Sequence, residues 1–108
     1  MSSLSGQVHQ FSDFTIDIEQ KILLRGGKAI PMAPKVFETL LALVENHGRI
    51  VLKEELMKRL WPDTFVEESN LTFNIQQLRK SLGDNAREPL YIETIQRRAY
   101  RFIAEMKP

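Results

Sequence analysis

Cysteine is absent from this 108-residue chain, which excludes both a disulfide framework and any thiolate metal site. Histidine is nearly absent. His9 and His47 are the only two, neither has partners at zinc-ligand spacing, and His47 falls where it complements a helix C-terminal dipole. A dominant charge is missing too: 15 Lys and Arg against 14 Asp and Glu leave a formal +1, so the overall balance advertises no polyanionic partner. No apolar run approaches the ~18–20 residues needed to cross a bilayer, and no charged-then-apolar leader opens the chain. A cytoplasmic segment is therefore expected, free or tethered to the membrane through a longer parent protein. A phosphate-binding glycine loop, a nucleophile with a nearby base and a metal cluster are all lacking. Enzymatic chemistry and a cofactor are accordingly not expected. The adjacent acids Glu54-Glu55 and Glu67-Glu68 suit positive helix N-termini better than acid–base work.

What remains is 43% apolar content, enough for one ordinary domain that buries roughly 65% of its unfolded surface. Residues 1–7 are small and polar and read as a disordered lead-in, leaving residues 8–106 as the domain. From His9 to Ile30 the apolar residues alternate with period two, and Gly26-Gly27 is a hairpin signal; residues 8–31 are expected to form a small antiparallel sheet. Residues 34–82 read as three helices. The first starts at Pro34 and ends at Gly48, the second runs from Lys53 to Trp61, and the third occupies residues 69–82. Residues 91–103 then give two strand-like runs separated by Gln96-Arg97-Arg98. The predicted fold class is α+β: a winged helix-turn-helix with a small N-terminal sheet, a three-helix core and a C-terminal β-hairpin wing.

The third helix carries most of the chemistry. Leu71, Ile75, Leu78 and Leu82 form one apolar stripe at helical period. Its other faces present Ser69, Asn70, Thr72, Phe73, Asn74, Gln76, Gln77, Arg79 and Lys80 with no carboxylate among them. Amides, hydroxyls, cations and one aromatic are the groups that read base edges, thymine methyls and phosphates. Charge distribution agrees with an anion-facing C-terminal half. Residues 69–108 hold seven Lys and Arg against four acids, a local +3, while the first 68 residues balance at −2.

Taken in register, these motifs closely resemble the OmpR/PhoB-type effector domain of bacterial response regulators and ToxR-like regulators. The resemblance is carried by Pro34-Lys35 with Phe37 and Leu40-Leu41, then Gly48-Arg49-Ile50, Glu54-Glu55-Leu56 and Leu60-Trp61. It continues through Asn74-Ile75, Leu78 to Asp84, Tyr91 to Ile95 and Tyr100-Arg101-Phe102. The resemblance implies a four-stranded N-terminal sheet and binding to promoter double-stranded DNA for transcription regulation, commonly as tandem homodimers on direct repeats. It also implies a signal-receiving domain elsewhere in the full-length protein, as in two-component phosphorelays. In such domains the loop before the third helix often meets RNA polymerase. Here Asp63, Glu67 and Glu68 would supply its charge, although the two glutamates also suit the helix dipole, and both roles can hold. Thr94 matches a position that commonly contacts a phosphate.

Departures from the family pattern are equally informative. Gln76 and Gln77 stand where arginines are common. Since amides pair with adenine and arginine with guanine, an A·T-biased half-site is expected, with Phe73 against thymine methyls. Arg97 and Ala99 replace wing glycines, so a type I′ turn is disfavoured and a wider or different tip is expected. That change places Arg97 and Arg98 where a wing meets the duplex. Ala33 and Leu52 stand where Ser or Thr helix caps are frequent. The competing reading from another class is a winged helix used as a protein-interaction module with little DNA affinity.

Overall fold

Alternating N-terminal residues pair into a meander in the computed structural model, which describes residues 7–108. Strands β1 (Val8–Phe11), β2 (Phe14–Asp17), β3 (Ile22–Arg25) and β4 (Lys28–Ile30) are antiparallel neighbours in that order. Gly26 and Gly27 connect the paired Arg25 and Lys28, both at positive φ (56° and 81°). That is the left-handed pair a two-residue hairpin demands and only glycine adopts freely. Residues 1–6 of the expected lead-in lie outside the described residues. Gln7, the last residue of that lead-in, lies just before β1, and its carbonyl accepts the Ile18 N–H at 3.2 Å.

Three helices follow, interrupted by one short strand: α1 (Pro34–Glu45), β5 (Ile50–Leu52), α2 (Lys53–Leu60) and α3 (Glu68–Leu82). Pro34 fits the first turn of α1, where its missing N–H removes no helical bond. Neither Ala33 nor Leu52 caps its helix through a side chain, but Glu55 Oε1 accepts the Leu52 N–H at 3.2 Å and so supplies half a capping box. The Arg49 guanidinium bonded to Glu55, together with that Leu52 N–H, holds the Glu55 carboxyl below the usual carboxylate range. The apolar stripe of α3 is buried throughout, with Leu71, Ile75, Leu78 and Leu82 at most 1% exposed against α1 and α2.

The wing has three strands. β6 (Ile92–Ile95) and β7 (Ala99–Phe102) form the expected hairpin, and β5 adds to the far side of β7, giving the order β5-β7-β6. Phe11 and Phe14 from the first sheet, Tyr91, and Phe102 from the wing meet as one aromatic cluster, with centroid separations of 5.0–5.7 Å among the contacting rings. Offset and edge-on rings at this spacing lock the two sheets together. The C-terminal residues return along β1, where Phe11 bridges Met106 and the Lys107 N–H reaches the Gln10 carbonyl at 2.8 Å.

Candidate nucleic-acid interface

Seating the leucine stripe inward leaves Ser69, Asn70, Phe73, Gln76 and Lys80 exposed on α3, with Thr72, Gln77 and Arg79 half-buried. Phe73 is 57% exposed, far above an ordinary core aromatic. Asn74 requires a correction: it is buried, and its amide donates to Thr39 Oγ1 of α1 at 3.4 Å, so it cannot address DNA. The helical period carried the signal, because position 74 lies three residues after Leu71 and four before Leu78, on the core side.

A cleft between α3 and the wing brings together Gln76, Arg79 and Lys80 with Thr94 and Arg97. Recognition-helix and wing residues therefore share one surface. Ser69, Asn70, Phe73 and the half-buried Gln77 do not line this cleft; the first three extend the exposed face beyond it. Arg98 is exposed at the tip but also outside it. Asp84 lines the cleft without leaving a free carboxylate, because its two oxygens accept the N–H groups of Leu90, Tyr91 and Ile92 at 2.7, 3.3 and 2.9 Å.

The wing tip is wider than two residues, as expected, and its backbone is unusual. Residues 96–98 separate the paired Ile95 and Ala99, so the connection is wider than two residues. Yet Gln96 and Arg97 both hold positive φ (49° and 60°), and the Arg98 N–H closes the turn onto the Ile95 carbonyl at 2.9 Å. Non-glycine residues thus occupy the left-handed pair that glycine normally fills, a strained arrangement of the kind that gathers at functional sites. The fold holds the tip in place, because the Lys53 N–H donates to the Arg98 carbonyl at 3.0 Å.

Nothing in the linear pattern marks Lys53, a first-turn residue of α2. The fold sets it against the cleft with only 17% of its side chain exposed, paired with Glu68 at 2.9 Å and 5.8 Å from the Tyr100 ring centroid. Glu68, the first residue of α3, pairs its carboxylate with Lys53 while its side chain stays largely exposed, as Asp63 and Glu67 also are. Among the described residues there is no group of three His, Asp or Glu able to hold a metal, and no helix is long and apolar enough to cross a membrane.

A helix-turn-helix whose exposed third helix shares a basic cleft with a β wing defines a winged-helix DNA-binding domain. The chain belongs to the family described as transcriptional regulatory protein, C terminal, of OmpR/PhoB type, whose model matches residues 27–102. It is similar to the transcriptional regulator HilA of Salmonella typhi, at 36% identity over 99 residues, covering 92% of this chain and 18% of HilA. Among solved structures it resembles the response regulator DrrB of Thermotoga maritima, an OmpR/PhoB homologue, with a TM-score of 0.81 and 33% identity over 89% of this chain and 44% of that one. The DNA-binding domain of RstA from Klebsiella pneumoniae, solved in complex with the RstA box, gives 0.80 and 30% over 91% and 98% of the two chains. The chain spans less than a fifth of the length of HilA.

Proposed function

We propose that this domain binds promoter double-stranded DNA with α3 in the major groove and the β6–β7 wing on the adjacent backbone or minor groove. The supporting observation is the single cleft shared by Gln76 and Lys80 of α3 and Arg97 of the wing. The surface divides the work by chemistry. Amides and Phe73 address base edges and methyls, while Lys80, Arg97 and Arg98 address phosphates. Duplex titration at several salt concentrations tests this reading. Three neutralised phosphates give a slope of log K against log salt of about −2.7. A slope near zero, with equal indifference to every duplex, would favour the protein-interaction module instead.

The reading extends to the longer protein as a tandem pair on direct repeats, acting in the cytoplasm under a signal-receiving domain, with residues 62–68 turned to RNA polymerase. Asp63, Glu67 and the 89% exposed Phe65 suit that loop role, whereas Glu68 is engaged by Lys53. One chain bound per two-half-site duplex would overturn the tandem arrangement. Replacing Asp63 and Glu67 with lysine should leave duplex affinity intact and lower transcription from the bound promoter; unchanged transcription would remove the loop from that role.

A further inference from the structure

We propose that Arg79 is a positioning residue: it fixes the direction of the Thr94 hydroxyl, the wing-base group that the family resemblance sets against a DNA phosphate. This inference rests on the DNA-binding reading above. Arg79 leaves α3 on its half-buried flank and reaches the wing, where Nη2 donates to the Ile92 carbonyl at 2.9 Å and to Thr94 Oγ1 at 2.8 Å. Those two bonds use both hydrogens of that nitrogen. Its Nε–H is buried without a partner, so this edge of the guanidinium is turned to protein and away from solvent. Arg79 thereby staples the recognition helix to the wing at the mouth of the cleft.

The consequence for Thr94 follows from the hydroxyl's valence. A threonine oxygen has one proton to donate and two lone pairs to accept with. Accepting from Arg79 occupies a lone pair and leaves the proton directed elsewhere. A cationic donor on the oxygen also polarises the hydroxyl and makes it a stronger donor. Thr94 is exposed in the cleft beside Lys80 and Arg97, where a phosphate drawn in by those cations would present only acceptors. The orientation Arg79 imposes is therefore the productive one, and the wing and helix reach the backbone as one rigid piece.

The experiment uses the full chain and a duplex that it selects from a random pool, with affinity measured across a salt series. Thr94→Val should weaken binding about tenfold, the size of one hydrogen bond to a charged group, and Thr94→Ser should restore it. Arg79→Gln should weaken binding by a similar factor, and the double variant should be no weaker than the worse single one. Lys80→Ala should flatten the salt slope by about 0.9, and Arg79→Gln by less than half as much. The inference is overturned if Arg79→Gln flattens the slope as Lys80→Ala does and adds fully to Thr94→Val, because Arg79 would then hold a phosphate itself. Should Arg79→Gln fail to fold, a methylphosphonate scan decides. One phosphate whose neutralisation weakens the native chain but not Thr94→Val supports the inference, and the lack of any such position overturns it. A chain that selects no duplex at all refutes the DNA-binding reading and the inference together, whereas native affinity in Thr94→Val refutes the inference alone.

Discussion

Asp84 sits just beyond the glycine that ends α3 and gathers three backbone N–H groups onto one carboxylate. Those bonds close residues 84–92 into a fixed connection and set where β6 begins. Hydrogen bonds to a charged group are stronger than neutral ones, so Asp84→Ala should lower stability by about 2 kcal/mol. For a domain of this size that is a drop of roughly 10 °C in Tm; an unchanged melting curve would show that the loop holds itself. Gln96 predicts the opposite sign. Its φ of 49° is unfavourable for any residue with a Cβ, so Gln96→Gly should stabilise the chain by about 1 kcal/mol. Denaturant unfolding checks this, and a loss of stability would show that the Gln96 side chain compensates its own backbone. Arg97 shares the strain but faces the cleft, which separates the conformational burden of the tip from its charge.

At the scale of one element, α3 has a division that composition alone made visible. The inward rows are leucine and isoleucine with Asn74 among them, and the outward rows carry amides at positions where the family pattern favours arginine. Binding-site selection should therefore return an A·T-rich half-site, and Gln76→Arg should shift one position toward guanine. A guanine-rich consensus for the native chain would refute amide readout. The stripe, the exposed Phe73 and the absence of acids on the outer face were all legible in the sequence, because helical period is local. Asn74 was misread because its amide suggests a surface role, although its place in the period is the core. The pairing of Lys53 with Glu68 was missed for another reason: the two stand fifteen residues apart on different helices, and no local pattern encodes their ion pair. The first turn of α2 adds a pH-dependent element. Arg49 keeps the Glu55 carboxyl low, so the stabilisation it contributes is present at neutral pH and is lost as pH falls through that depressed value.

Across the whole molecule, the two sheets are joined by aromatic rings and not by a continuous ladder. Phe11 touches Phe14, Tyr91 and Phe102 at 5.2, 5.6 and 5.0 Å and is fully buried. It connects the N-terminal meander to the wing that contributes to the cleft. Phe11→Ala should destabilise the domain by about 3–5 kcal/mol, a large fraction of the roughly 5–15 kcal/mol that holds a native domain together. Duplex affinity should fall only as far as the folded fraction falls. If affinity fell further while the chain remained folded, the N-terminal sheet would be setting the wing's position as well as supporting it.

Periodicity and turn chemistry settled the order of elements, the inward stripe of α3, the Gly26-Gly27 turn and the outward face of α3 that the proposed function uses, since each depends on residues near one another in the chain. The tertiary structure alone decided that β5 completes the wing, that Asn74 turns inward to Thr39, that Lys53 flanks the cleft, and that Arg79 bonds Thr94 across fifteen residues. These are meetings of side chains distant in sequence. Their partners exist only once the helices and sheets have packed, so no window of the sequence contains them.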